Sequence, residues 1–142
     1  MKNVTKIVVI MFVFTACLYD RTAVMTHLGE NFYYIGAASE SVIISQMSDP
    51  RVEGLGGFIV IPAEIVEYNF DSVFIISKTD EWFSDTLKYW ILDKSKYLEK
   101  MDSNGHVDLK LNKSILFQTD DSMTFINELK ARKIEMVLKP RN

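Results

Sequence analysis

Apolar residues in this chain fall in short runs that turn-forming residues interrupt. Short runs rich in Ile, Val, Phe, Tyr and Trp, bounded by Gly, Pro, Asn, Asp or Ser, are typical of β-strands. The runs that predict strands are Asn31–Gly36, Ser41–Gln46, Phe58–Ile61, Ser72–Ser77 and Leu87–Asp93. Short turn-rich connections between such runs favour antiparallel pairing.

Four other segments carry weaker or different patterns. Ala63–Asn69 is either an irregular turn or a short strand, and Glu135–Lys139 predicts a closing strand before Pro140. Val107–Leu111 alternates apolar and polar residues, which indicates a half-exposed strand or extended segment. Val73–Ile76 is apolar at consecutive positions, so we expect burial on both faces, with a helix over one and loops or sheet curvature closing the other.

Ser122–Lys133 predicts the one clear helix. Asp120 or Asp121 can cap its start, and basic residues occupy its last turn. Its apolar stripe contains Ile126 and Leu129, with Met123 or Phe125. Lys94–Asn104 is polar and predicts a loop or one helical turn. The fold class predicted is α+β: an antiparallel sheet of about five to seven strands with one C-terminal helix packed on a face.

The N-terminal residues follow a different pattern. Lys2 and Lys6 precede the apolar run Ile7–Ala16. A basic start, a short apolar run and a small residue before a cut are typical of a signal peptide. A helix of about ten residues rises about 15 Å, half of a bilayer core of about 30 Å, so the run is too short for a permanent span. We therefore expect a lipoprotein signal peptide over 1–16, a tether over 17–30 and a single α+β domain over 31–142.

The tetrapeptide Phe14-Thr15-Ala16-Cys17 resembles a lipobox, the processing site of bacterial lipoprotein precursors, although Phe14 stands where Leu is usual. The resemblance implies lipidation of Cys17: its thiol takes a diacylglycerol and its freed amine a further acyl chain such as palmitate. It also implies a membrane anchor in the cell envelope, on the periplasmic or extracellular face. Two alternatives remain open, namely ordinary secretion that leaves a free thiol, and a retained anchor.

A second set of residues resembles a family of small bacterial lipoproteins of uncharacterised function. The matching pieces are Val60-Ile61-Pro62 with Val66 and Tyr68, then Phe74-Ile75-Ile76, Tyr89-Trp90-Ile91-Leu92-Asp93-Lys94, the terminal helix and Val137-Leu138. They cover roughly the last three-fifths of the chain that would remain after cleavage. The resemblance implies an envelope lipoprotein and assigns no catalytic residue.

The charge balance bears on possible partners. The chain has 16 basic and 19 acidic residues, a formal net charge of −3, and no block of basic residues. Removal of Lys2 and Lys6 with the signal peptide would make the remainder more acidic. This balance argues against nucleic acid as a partner and against electrostatic docking on anionic lipid. The membrane would then be held through the lipid anchor.

None of the motifs that carry chemistry is well formed. His27 and His106 lack the spacing of metal ligands. Gly54–Gly57 precedes an apolar strand rather than a helix, so it predicts a flexible hairpin loop and not a phosphate cradle. Asp80–Glu81 places its carboxylates on opposite faces, and Asp120–Asp121 has a capping role. We therefore expect no enzyme, no cofactor and no metal site.

Adjacent aromatic residues are the remaining signal. In such pairs one ring must face outward or meet a second layer, and exposed aromatics serve as interface anchors. The candidate interface residues are Tyr34, Trp82 and Trp90, with core packing as the alternative. The function predicted is a non-catalytic envelope lipoprotein that binds a protein or ligand. The alternatives are a small secreted or periplasmic hydrolase or ligand-binding enzyme, and a structural envelope lipoprotein without a discrete partner.

We expect the full chain, expressed in a bacterial host, to incorporate a clickable fatty acid at Cys17. The wild-type chain should carry the label and partition with membranes, because acyl chains supply the anchor. Cys17→Ala should lose the label and leave the membrane fraction. An unlabelled, soluble wild-type product would instead mean that Cys17 is a free thiol.

Overall fold

The computed structural model describes residues 24–37, 40–81, 84, 86–109 and 112–141, which form two antiparallel sheets and three helices. Sheet 1 contains, in spatial order, β1 (Val24–His27), β2 (Phe32–Ala37), β3 (Glu40–Ser45) and β4 (Phe58–Ile61). Sheet 2 is ordered β8-β7-β6-β5-β9 and contains β5 (Ile65–Phe70), β6 (Phe74–Asp80), β7 (Leu87–Asp93), β8 (Leu116–Thr119) and β9 (Lys139–Pro140). The helices are α1 (Pro50–Glu53), α2 (Lys94–Lys100) and α3 (Ser122–Ala131).

The predicted antiparallel α+β class is confirmed, but the predicted arrangement is wrong in two respects. The strands form two sheets rather than one, because the chain leaves sheet 1 after β4 at Pro62 and enters sheet 2 at Ile65. The C-terminal helix is also not the only one. The Asp93 carboxylate accepts a hydrogen bond from Lys96 N at 3.0 Å, and this cap starts α2 where a loop or single turn was predicted.

The folded part begins earlier than the sequence predicted. β1 pairs with β2 from Val24, opposite Gly36, to His27, opposite Tyr33. These residues fall in the tether expected over 17–30, so the sheet begins at Val24 rather than at residue 31. The predicted signal peptide and lipidation site, residues 1–16 and Cys17, lie outside the described residues, as does Trp82.

Two weaker predictions are also settled differently. Of the two alternatives over Val107–Leu111, the strand is wrong, because Val107 and Asp108 are not part of one, and the side chain of Val107 is buried in the core between the sheets. β7 pairs with β6 on one side and on the other with β8, a strand that the sequence did not predict. The closing strand expected over Glu135–Lys139 is reduced to β9, which pairs with β5.

The apolar run in β6 is buried on both faces, as predicted. Ile75 points into the core between the sheets, while Ile76 packs on the outer side of sheet 2 with Phe125 of α3. The inner face is thus closed by sheet 1 rather than by loops or sheet curvature. On α3 the stripe that faces the sheet contains Phe125 and Leu129, whereas Met123 and Ile126 are exposed, so the prediction of Ile126 in the stripe is wrong. Asp121 caps this helix by accepting from Thr124 N at 2.7 Å.

Lys94, the first residue of α2, places a cation inside the molecule. Lys94 is 1% exposed. Its Nζ donates hydrogen bonds to Leu28 O at 2.9 Å and to Asp71 O at 2.5 Å. Leu28 follows β1 and Asp71 follows β5, so one ammonium group joins the two sheets. Burial lowers the pKa of Lys94, and attraction to Asp71 and Glu30 opposes that shift. The absence of a side chain at Gly29 leaves space for the ammonium group, because a Cβ at that position would lie only 2.9 Å from Lys94 Nζ.

Arg141 joins the C-terminal end of the chain to both sheets. Its Nη1 donates to Ser41 Oγ at 3.0 Å and to Ile65 O at 3.2 Å, and the guanidinium is paired with Glu64. Ser41 lies opposite Gly36 of β2, and Gly36 lies opposite Val24 of β1. The described chain therefore starts and ends at the same end of sheet 1.

We expect Lys94→Met to lower the free energy of unfolding by about 1–3 kcal/mol, because buried carbonyls at Leu28 and Asp71 lose their charged donor. Urea unfolding of the full chain measures this. Lys100→Met, on the exposed side of the same helix, is the control and should change stability by less than about 0.5 kcal/mol. A Lys94→Met protein as stable as the wild type would mean that the buried cation does not hold the sheets together.

Candidate binding surface

The connection between β3 and β4, residues 46–57, is organised by one amide side chain. Gln46 is buried, and its Nε2 donates to Gly54 O at 2.8 Å and to Ser48 Oγ at 3.3 Å. Its Oε1 accepts from Gly56 N at 3.1 Å. The loop therefore folds around a satisfied side chain, and it is not the open flexible hairpin that its glycines suggested.

A single helical turn, α1, forms the middle of this loop. Asp49 caps it by accepting from Arg51 N at 2.9 Å, and the Arg51 guanidinium returns to the same carboxylate at 2.7 Å. The side-chain hydrogen bond from Arg51, followed by its backbone N–H, lowers the pKa of Asp49 to about 2. The pair fixes the turn that carries Val52 and Glu53 outward.

Gly57 permits the loop to return close to β3. A Cβ at this position would lie 2.6 Å from Ser45 O and 2.9 Å from Gln46 Cβ, which is closer than real side chains approach. The glycine is needed because the backbone itself occupies that space. β4 can therefore begin at Phe58, directly opposite Ser45.

Five large apolar side chains of this region face solvent, at 39–81% exposure. We call them the apolar loop surface, and they are Met47, Val52, Leu55, Phe58 and Ile59. Single exposed apolar residues are common on soluble proteins, whereas several on one loop are typical of an interaction site. The candidate interface is therefore this group of loop and β4 residues, and not the aromatic residues that the sequence predicted.

A cavity of about 260 Å³ lies at this surface, between the β3–β4 loop and the turn that follows α2, and Met47 and Phe58 are the members of the surface that line it. Glu53 and Phe58 line it from the loop, and Asn104 and Gly105 line it from the turn. Met47 lies close to Gly105, since its Cγ is 3.4 Å from where a Cβ on that glycine would be. The cavity is thus shared by a loop of sheet 1 and a turn attached to sheet 2.

The turn at residues 102–106 is held by Asp102, whose Oδ1 accepts from the backbone N–H groups of Asn104 and His106, each at 2.9 Å. These backbone hydrogen bonds lower the pKa of Asp102, led by that from His106. The His106 ring meets the edge of Phe58 at a centroid distance of 5.1 Å. Phe58 is thereby fixed at one wall of the cavity.

The apolar loop surface lies far from the first and last residues that the structure describes. β3 runs from Ser41, beside Val24 and Arg141, to Ser45, where the loop begins. Four residues of strand span about 13 Å, and the loop extends beyond that. The surface is therefore at the opposite end of sheet 1 from the first and last described residues.

The structure places Tyr34 and Trp90 among core residues, at 2% and 6% exposure. Tyr34 stacks on Tyr68 with centroids 4.6 Å apart, and burial raises the pKa of its phenol. Trp90 Nε1 donates to Thr79 Oγ1 at 2.8 Å, and the residue also lines a second cavity of about 390 Å³ beside β8. Both follow the core alternative, so neither is an exposed interface anchor.

The two histidines and the buried Ser41 do not come together in the described part of the chain. His27 Nε2 lies 2.7 Å from Glu30 O, and no hydrogen bond within the described ranges joins either histidine ring to a serine or carboxylate. Ser41 Oγ is buried and already bonded to Ile65 and Arg141. Among the residues that the structure describes, no group of three or more His, Cys, Asp or Glu could hold a metal ion.

Comparison of the chain with protein-family models, with curated proteins and with solved structures finds no match. None of the helices in the described part of the chain is long and apolar enough to cross a membrane.

We expect Gln46→Leu to loosen the β3–β4 loop, because Gly56 N would lose its acceptor and Gly54 O its donor. Amide hydrogen exchange of Gly56 should become about five- to tenfold faster, the effect of losing one hydrogen bond. Exchange mass spectrometry over residues 47–57 measures this. Gln118→Leu, at the exposed position of β8, is the control. Unchanged exchange in Gln46→Leu would show that the loop is held by other contacts.

Proposed function

We propose that the protein is a non-catalytic envelope lipoprotein, tethered through Cys17, that binds another protein through the apolar loop surface. The observation that carries the proposal is the position of this surface. Its five apolar side chains lie at one end of sheet 1. Val24, where the tether would join the fold, lies at the other end.

The short tether favours this orientation. If Cys17 is acylated, only residues 18–23 separate the anchor from β1, and an extended chain spans at most about 3.5 Å per residue. The Val24 end of the sheet would then stay near the membrane. The apolar loop surface would face away from the lipid, where a protein partner can reach it.

The loop itself is suited to recognition because it is positioned before a partner arrives. Gln46 holds its two halves together, and the Asp49–Arg51 pair fixes α1. A surface that is ordered in advance loses less conformational entropy on binding, which favours affinity. The partner proposed is a protein with a complementary apolar patch.

The test is site-specific photocrosslinking of the full chain in its native envelope. A photoreactive residue at position 55, where Leu55 is 64% exposed, should form a covalent adduct with one discrete protein. The same residue at position 123 is the matched control, because Met123 is 61% exposed but lies on α3. The adduct should be absent there. The partner, once identified by mass spectrometry and purified, should bind the full chain directly.

A second-site substitution separates specific binding from chance capture. Val52→Asp should reduce the adduct at position 55 at least about tenfold, since burying an unpaired carboxylate is costly. Val137→Asp, at an exposed apolar position far along the chain, should leave it unchanged. Equal crosslinking at positions 55 and 123, or an adduct that Val52→Asp does not reduce, would refute the proposed interface.

A further inference from the structure

We propose that the cavity in the apolar loop surface binds an arginine side chain of the partner protein. This inference rests on the proposed function and names the residue type that the partner would insert. The ligand class is a guanidinium group on an aliphatic stem.

The charge of the cavity favours a cation. Glu53 is the acidic residue among those that line it, and its described lining contains neither lysine nor arginine. No ion pair within the described ranges involves Glu53, whereas nearby Asp49 is already bound to Arg51. Glu53 is itself exposed, so a cation can reach its carboxylate, and an ionised carboxylate is a strong acceptor for a cationic donor.

The other walls suit the rest of an arginine side chain. Met47 and Phe58 supply apolar surface for the methylene groups, and a guanidinium plane stacks favourably on an aromatic ring. Asn104 adds a side-chain amide whose oxygen can accept another N–H. Arginine uses all three kinds of contact at once, while lysine offers a compact ammonium that does not stack.

The size of the cavity agrees with one side chain. Its volume is about 260 Å³, and sites for drug-sized ligands are about 300–1,000 Å³. Three glycines of the loop and Gly105 of the facing turn line it, so the partner can approach the backbone closely. A side chain that belongs to a docked protein fits these dimensions better than a free cofactor does.

The experiment uses the isotope-labelled full chain in detergent micelles and two small probes. Nα-acetyl-arginine N-methylamide should shift the amide signals of Gly54, Gly56, Gly57 and Gly105 in a saturable manner. Nα-acetyl-citrulline N-methylamide has nearly the same shape without the charge and should produce no saturable shift. Saturable shifts with citrulline as large as those with arginine would overturn the proposal, as would none with arginine.

Two variants assign the contacts. Glu53→Gln keeps the shape of the side chain and should weaken arginine binding about fivefold, the upper range for a solvent-accessible ion pair. Glu99→Gln, an exposed glutamate on α2, should not change it. Phe58→Leu should remove the preference for arginine over Nα-acetyl-lysine N-methylamide. If Glu53→Gln binds as well as wild type, the assignment of the cavity is wrong.

The photocrosslinking test keeps this inference separate from the proposed function. An adduct at position 55 that persists at wild-type level in Glu53→Gln, together with no arginine binding, would refute the arginine site and leave the interface standing. Loss of that adduct in Glu53→Gln, but not in Glu99→Gln, would place the arginine site within the interface.

Discussion

The buried ammonium of Lys94 is the interaction on which the arrangement of the two sheets depends. A charge inside a protein is unfavourable unless polar partners surround it, so Leu28 O and Asp71 O must remain close to Nζ. The same cation fixes the start of α2. One turn later, Tyr97 meets the edge of Phe32 at 5.1 Å and hydrogen-bonds Ser45. α2 is thus attached to sheet 1 at two points, and this places the following turn against the β3–β4 loop. The cavity exists because those two segments meet.

Local patterns were sufficient for the central strands and for α3. β2, β3, β4 and β7 are compact apolar runs with turn residues at their ends, and the Asp121 cap marks the helix start. β1 and β8 are four-residue strands in which two apolar residues are followed by two polar ones, so they show neither the continuous apolar run of β4 nor a clear alternation. Local patterns do not show which sheet a strand joins, because that depends on which distant strands pair. The sequence around Pro62 indicates a break but not that the next strand belongs to a second sheet. Val107 illustrates the converse, since an alternating segment can bury one side chain without joining a ladder.

The site was harder to predict than the fold for a related reason. Tyr34 and Trp90 were candidate interface residues because one ring of an adjacent aromatic pair must face outward or meet a second layer. Here a second layer covers both, since they pack in the core between the sheets, with Ser41 and Thr79 as partners for their polar tips. Met47 and Leu55 lie in the β3–β4 loop, where the sequence has no periodic pattern, so nothing local shows that they are exposed. The role of Gln46 depends on contacts eight and ten residues away, which only the folded loop defines.

The position of Val24, at the end of sheet 1 opposite the apolar loop surface, also determines how the molecule would respond to force. A load applied between Val24 and a partner on the apolar loop surface acts along the strands of sheet 1. The hydrogen bonds between β1 and β2 lie perpendicular to the strands, so such a load shears them together instead of opening them one after another. Hydrogen bonds that carry a load together resist rupture better than hydrogen bonds that break one after another. A tether at the Val24 end would therefore make this small fold a stiff mechanical link between the membrane and its partner.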